Sequence, residues 1–282
     1  NLNKINLPVN QWIYNEFVDT QNKVSKHIEN FRFDEASRII YKFVWHSYCD
    51  WYLEFLKPVF NSNNKENIIE ARNFSSFMMS NILNVLHPFI PFFTENLWKN
   101  NKYDSFFNSP LIVSDWSKLE SQSSFKKSHQ SIEGTKEIIS GIRSAKSELN
   151  IKPKLFSDII LSNKSTSIKD LINKNIEIIK QVGRVKDILK HNYEKNNVIE
   201  IIVLKEKLSL KFEDDVDISS QKSRILEKIK VLEVKINNLK KKLQNKAYLS
   251  NAPKNIVQND KDNLKDLNIE ENKLRSIVSS IN

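Results

Sequence analysis

Four lysines, Lys240, Lys241, Lys242 and Lys246, and the ring of Tyr248 crowd one short stretch of this chain. Ammonium groups clustered in this way can neutralise phosphates, gaining from the counterions they release. A charge run of this kind can also be no more than a solvated face. A second basic cluster, Arg143, Lys146, Lys152 and Lys154 in GIRSAKSELNIKPK, falls where a helix should end. Cations there could contact RNA phosphates, or could simply complement the helix dipole. The third stretch, YKFVWHSYCDWYLEFLK from Tyr41 to Lys57, carries aromatic rings on every face of a helix, with Asp50 and Glu54 one turn apart among them. A core helix has this composition; some of its polar atoms could also line a groove that stacks unpaired bases.

Catalytic chemistry finds no comparable footing. The three glycines, Gly134, Gly141 and Gly183, are scattered, and no glycine-rich loop exists to cradle a nucleotide phosphate. His27, His46, His87, His129 and His191 lack Ser or Cys partners at a nucleophile's spacing. Cys49, the single cysteine, reads as an inert small hydrophobe on a buried helix and cannot form an intramolecular disulfide. With no Cys or His pair at zinc-ligand spacing, neither a metal nor a cofactor is expected in this chain, and a reducing cytoplasmic setting fits. No apolar run approaches the roughly 20 residues that span a bilayer, so a soluble protein with no membrane partner is expected. The chain opens on Asn1 rather than Met, and is expected to be a piece of something longer.

The elements that must position these residues are mainly helical. From Asn10 to Trp98 apolar residues recur at helical spacing without a glycine, which predicts a bundle of long helices. The first should run from Pro8 to Asn30 and the second from an Asp34 N-cap to Lys57, just before Pro58. This second helix, rich in apolar side chains, is expected to be the central buried one. A third should span Ile68 to His87, and Thr94 is a candidate cap for a short helix after the corner HPFIPFF. PLIVSDW reads as a strand, and a further helix is expected from Ser131 to Leu149. Then FSDIILSN, a helix from Ser167 to Val182, VKDILKHN, VIEIIVL and KLSLKF alternate as a small α/β unit.

Residues 218–282 close the chain with two apolar stripes. Ile225, Ile229, Leu232, Ile236, Leu239 and Leu243 follow alternating steps of four and three, a heptad seam. Val257, Leu264, Leu267, Leu274, Val278 and Ile281 form a second, and the short break NKAYLSNAP between them predicts an antiparallel two-stranded coiled coil. The segment holds 14 Lys and Arg against 7 Asp and Glu, so it carries +7 of the chain's net +10. All five tryptophans, in contrast, precede residue 120.

Taken in order, FRFDEASRIIYKFVWHSYCDWYLEFLK, HPFIPFFTENLW, IRSAKSELNI and KLQNKAYLSNAPKNIV resemble the C-terminal end of valyl-tRNA synthetases, class I aminoacyl-tRNA ligases. The resemblance implies a helical anticodon-binding domain over residues 1–130, a helix with a small α/β junction over 131–217, and a coiled-coil tRNA-binding arm over 218–282. It implies tRNA for valine as the partner, with the bundle receiving the anticodon and the arm touching the outer corner where the D and T loops meet. Arg143, Lys146 and Lys152 are then expected on the anticodon side, and Lys240, Lys241, Lys242, Lys246 and Tyr248 on the arm. ATP and magnesium would serve the parent enzyme; the family's HIGH and KMSKS signatures and its editing domain have no counterpart in this sequence. A monomer that binds no DNA is expected. A coiled coil that pairs with another protein, or the matching region of an isoleucine or leucine enzyme, remains the alternative.

Overall fold

A computed structural model describes residues 5–161, 166–190, 197–213, 218–245, 248 and 253–281. The chain forms two compact units: Asn1–Lys136 with Lys174–Val182, and Glu137–Asn173 with Gly183–Asn282.

In the first unit the central helix is α1, Pro8–Glu29. Pro8 occupies its first turn, where a missing N–H costs nothing. Trp12, Ile13, Tyr14, Val18 and Val24 are fully buried along it. Asn10 is buried too, and is satisfied on both sides: its Nδ2 donates to Glu70 Oε1 at 2.9 Å and its Oδ1 accepts from the Tyr52 hydroxyl at 2.9 Å. A buried amide that found no partners would cost on the order of 1–3 kcal/mol, so this position fixes how α1 meets its neighbours.

The second predicted helix differs from expectation in three ways. It begins as α2, Phe33–Lys42, with Arg32 rather than Asp34 at its cap. It then passes through a π-wound segment, Phe43–Tyr52, and continues as α3, Leu53–Phe60, so Pro58 lies inside it. Phe55 and Leu56 are buried and anchor that last stretch in the core, which outweighs the one hydrogen bond that the proline removes. Nor is it the central buried helix. Phe43, Tyr48, Tyr52 and Phe55 face inward, whereas Tyr41, Trp45, Cys49 and Leu53 are exposed. The apolar set was large enough for burial all round, but a bundle this small has only one core to bury it against.

Helix α4, Lys65–Leu86, is capped by the Asn64 side chain, which accepts from Asn67 N at 3.1 Å. Helix α5, Pro91–Asn100, starts three residues before the predicted cap. Thr94 is buried within its first turns, with Oγ1 2.8 Å from His87 Nδ1 and donating back to the Ile90 and Pro91 carbonyls. A short α6, Tyr103–Phe107, follows. PLIVSDW is not a strand: Leu111–Val113 makes a single 3-10 turn, with Leu111 buried while Ile112 and Val113 are exposed. Polar anchors hold it instead, with Ile112 N donating to Glu95 Oε2 at 3.2 Å and Ser117 Oγ donating to Asn81 Oδ1 at 2.7 Å.

Helix α7, Lys126–Glu148, runs from the first unit into the second. It ends where Asn150 takes a left-handed conformation and Ile151 N bonds the Lys146 carbonyl at 2.7 Å, a Schellman closure. The sheet of the second unit comprises β1 (Ser157–Leu161), β2 (Val185–Lys190), β3 (Val198–Val203) and β4 (Glu206–Phe212) in the order β2-β1-β4-β3. β1 and β2 are parallel, and the other pairs are antiparallel. The predicted helix between β1 and β2 is broken at Asn175 into α8, Thr166–Lys174, and α9, Ile176–Gly183. Leu204 and Lys205, both at positive φ, form the two-residue turn from β3 to β4.

Two long helices end the chain, α10 (Ile218–Gln244) and α11 (Lys254–Ser280). They run antiparallel: Lys222 Nζ donates to the Ile281 carbonyl at 2.8 Å, Lys228 pairs with Glu270 at 2.7 Å, and Lys242 with Asp260 at 2.8 Å. Ile225, Ile229, Leu232 and Ile236 are buried, whereas Leu239 and Leu243 are only half-buried, so the apolar contact thins toward the turn.

Candidate nucleic-acid interface

On the exposed side of α2 and the π-wound segment, Arg38, Tyr41, Lys42, Trp45 and His46 recur at steps of three and four, and so share one face. Tyr41 is 63% exposed and Trp45 54%, and their rings lie parallel, 3° apart in plane with centroids at 6.2 Å. Cations beside the two parallel rings make the face suited to unpaired bases and their phosphates. Arg38 also pairs with Glu35, and His46 Nδ1 lies 3.2 Å from Asp50 Oδ2. Trp45 and His46 lie in the π-wound segment, a winding that is rare in proteins and frequent at functional sites. From the sequence, the aromatic run read as core, with polar atoms as the groove-lining candidates; His46 and Asp50 are exposed as that reading allowed, and the rings of Tyr41 and Trp45 are exposed beside them.

The residues predicted for the anticodon side belong to the second unit and separate in character. Arg143 and Lys152 are exposed. Lys146 is buried, only 3% exposed, and its Nζ donates to the carbonyls of Leu155 at 2.8 Å, Arg184 at 3.3 Å and Gly183 at 3.4 Å. Arg184 stands in a left-handed conformation after α9, and its carbonyl also accepts from Ser157 N at the head of β1. Lys146 therefore ties the end of α7 to the segments that lead into β1 and β2, and its ammonium is not offered to a phosphate. Burial lowers its pKa to about 8, helped by the nearby Arg184 and Arg143 charges.

At the turn of the helical pair, Lys240 and Lys241 are exposed and make no ion pair among the described residues. Lys242 and Tyr248 are engaged differently. The Tyr248 hydroxyl donates to Asp260 Oδ2 at 2.6 Å, Lys242 Nζ lies 2.8 Å from the same oxygen, and Lys242 also sits 4.7 Å from the Tyr248 ring centroid. This clasp joins the last turn of α10, the connecting turn and α11. Asp260, by its bonds from Lys242 and Tyr248, has its pKa lowered; the same contacts with Asp260 raise those of Lys242 and Tyr248. Lys246 lies outside the described residues.

The profile described as the anticodon-binding domain of tRNA ligase matches residues 10–161. That described as the valyl tRNA synthetase tRNA-binding arm matches residues 217–282. The chain is 34% identical to the valine–tRNA ligase of Pelagibacter ubique over 93% of its own length and 30% of that relative's. It is 29% identical to the valine–tRNA ligase of Agrobacterium fabrum over 98% of its length, and 28% identical to that of Buchnera aphidicola over 93%. It spans about 30% of the length of these curated relatives. A stacking face on the helical bundle, an exposed lysine pair at a helical turn and two matching profiles in the same order converge: the chain belongs to the valyl-tRNA synthetase family, and carries the anticodon-binding domain of tRNA ligases followed by the family's tRNA-binding arm.

Proposed function

We propose that this chain grips tRNA for valine on behalf of a valine–tRNA ligase, whose catalytic chemistry, with ATP and magnesium, belongs to the portion of the enzyme that the chain does not span. The observation that carries the reading is the division of labour between two kinds of surface. Parallel exposed rings flanked by cations suit unpaired anticodon bases, and lysines at a helical turn suit the phosphates of a folded RNA corner. Arg143 and Lys152 add charge on the anticodon side, and Lys240, Lys241 and Lys246 supply it on the arm, while Lys242 and Tyr248 shape the tip.

In this reading residues 1–130 are the anticodon-binding domain, 131–217 the junction, and 218–282 an antiparallel coiled-coil arm. The protein works as a monomer in the cytoplasm, bound to tRNA rather than DNA or a membrane. Phosphate contacts fix the register of the tRNA, and the bundle reads the bases, so that the acceptor end reaches the catalytic core correctly oriented. Deleting residues 218–282 from the full enzyme tests this. The expected result is weaker tRNA binding and slower aminoacylation, with tRNA-independent valine activation intact; unchanged aminoacylation kinetics would refute the role of the arm.

A further inference from the structure

Sequence spacing offers no metal ligands, yet the first unit brings three donors together from distant parts of the chain. Glu16 on α1 faces His129 and Glu133 on α7, and one ligand atom from each lies within 4.8 Å of the others. His129 and Glu133 stand at i and i+4, so a single helical face presents both. All three are partly buried, with side chains 30%, 36% and 42% exposed for Glu16, His129 and Glu133.

We propose that Glu16, His129 and Glu133 form a binding site for a first-row divalent transition metal, Zn²⁺ above all, that clamps α1 to the first turns of α7. One imidazole with two carboxylates suits zinc; calcium and magnesium favour all-oxygen shells. Two features indicate a shell that is already oriented. The Glu133 carboxylate is held through Oε1, which accepts from Trp12 Nε1 at 2.8 Å and Lys136 Nζ at 2.7 Å. Such outer partners orient a ligating carboxylate, and Lys136 is fixed in turn, 4.9 Å from the Trp12 ring centroid and 5.8 Å from that of Trp51. Glu16 Oε1 and His129 Nε2 are hydrogen-bonded at 3.0 Å, a contact that an ion would replace by taking the imidazole proton's place, and this spacing is close to the roughly 3.3 Å between two ligands of a tetrahedral zinc bound at about 2.0 Å. The other Glu16 oxygen faces the Ser47 hydroxyl at 3.5 Å. Glu16 and Glu133 bring two carboxylates to the site against the single Lys136 ammonium. Three protein ligands leave a fourth position for water.

The test titrates the 282-residue chain with Co²⁺, an absorbing stand-in for zinc, and then displaces it with Zn²⁺. One saturable equivalent in a four-coordinate nitrogen and oxygen environment is expected. Substituting a direct ligand, His129→Ala or Glu16→Gln, should weaken binding at least about tenfold, because even outer-shell changes reach that size. His46→Ala, which alters the exposed His46 and Asp50 pair, should leave it unchanged, and Zn²⁺ should raise the Tm of the parent but not of His129→Ala. Circular dichroism checks that each variant is folded, and Glu133→Gln, which keeps an oxygen for Trp12, gives a second reading. Absence of saturable binding, unchanged affinity in the His129 and Glu16 variants, loss of binding in His46→Ala, or a sulfur-to-cobalt charge-transfer band that places the ion at Cys49 would each overturn the site.

Discussion

Lys146 shows how far the neighbours of a residue decide its role. As one lysine in a basic helix end it read as a phosphate contact; the carbonyls of Leu155, Gly183 and Arg184 converge on it from segments that sequence spacing cannot bring together. Its titration gives a signed prediction. The pKa is about 8 in the folded chain and higher when unfolded, so between these values the unfolded state binds more protons, and stability rises with pH through that window. The buried charge is a cost present below pH 8 and relieved above it. Lys146→Met removes this dependence, so its stability relative to the parent should fall as pH rises from 7 to about 10 in urea titrations; parallel profiles would contradict the buried charge. The tip clasp makes a second prediction. Asp260→Asn, which loosens the clasp, should weaken tRNA binding about two- to tenfold; tighter binding would show instead that Asp260 competes with phosphates for Lys242.

At the scale of elements, much was legible. Short strand-like segments interleaved with a helical one placed all four strands of the small sheet, and the heptad steps placed both terminal helices. What failed were features set by tertiary context. An N-cap at Thr94 gave way to an earlier start at Pro91, and the apolar PLIVSDW found no strand to pair with among the described residues. The aromatic helix was recognised, but its exposed face was not, because apolar residues on all sides cannot reveal which of them the core lacks room for. Trp45→Ala tests that face. Stability should change by under about 1 kcal/mol, while loss of one stacking ring should weaken binding of tRNA for valine by about 1–3 kcal/mol. A second element-level prediction concerns Gly141 in α7, where a Cβ would meet Val203 Cγ2 at 2.8 Å. Alanine ordinarily favours a helix by about 1 kcal/mol over glycine, but Val203 is β-branched and cannot yield easily. Gly141→Ala should therefore destabilise the chain by about 1 kcal/mol net, read as a lower urea midpoint.

For the whole molecule, the charge asymmetry seen in the sequence acquires a purpose. Most of the net +10 belongs to the terminal helices, where Lys240 and Lys241 stand exposed beyond the thinning apolar seam, whereas the first unit offers rings more than charge. Affinity and specificity should therefore separate, the arm supplying salt-sensitive grip and the bundle supplying discrimination. Binding of the 282-residue chain across a salt series, to tRNA for valine and to the same tRNA with its anticodon replaced, tests this most directly. The account predicts that affinity for both falls steeply with salt and that the parent tRNA binds tighter throughout. Equal affinity for the two, or no salt-sensitive binding to either, would contradict it.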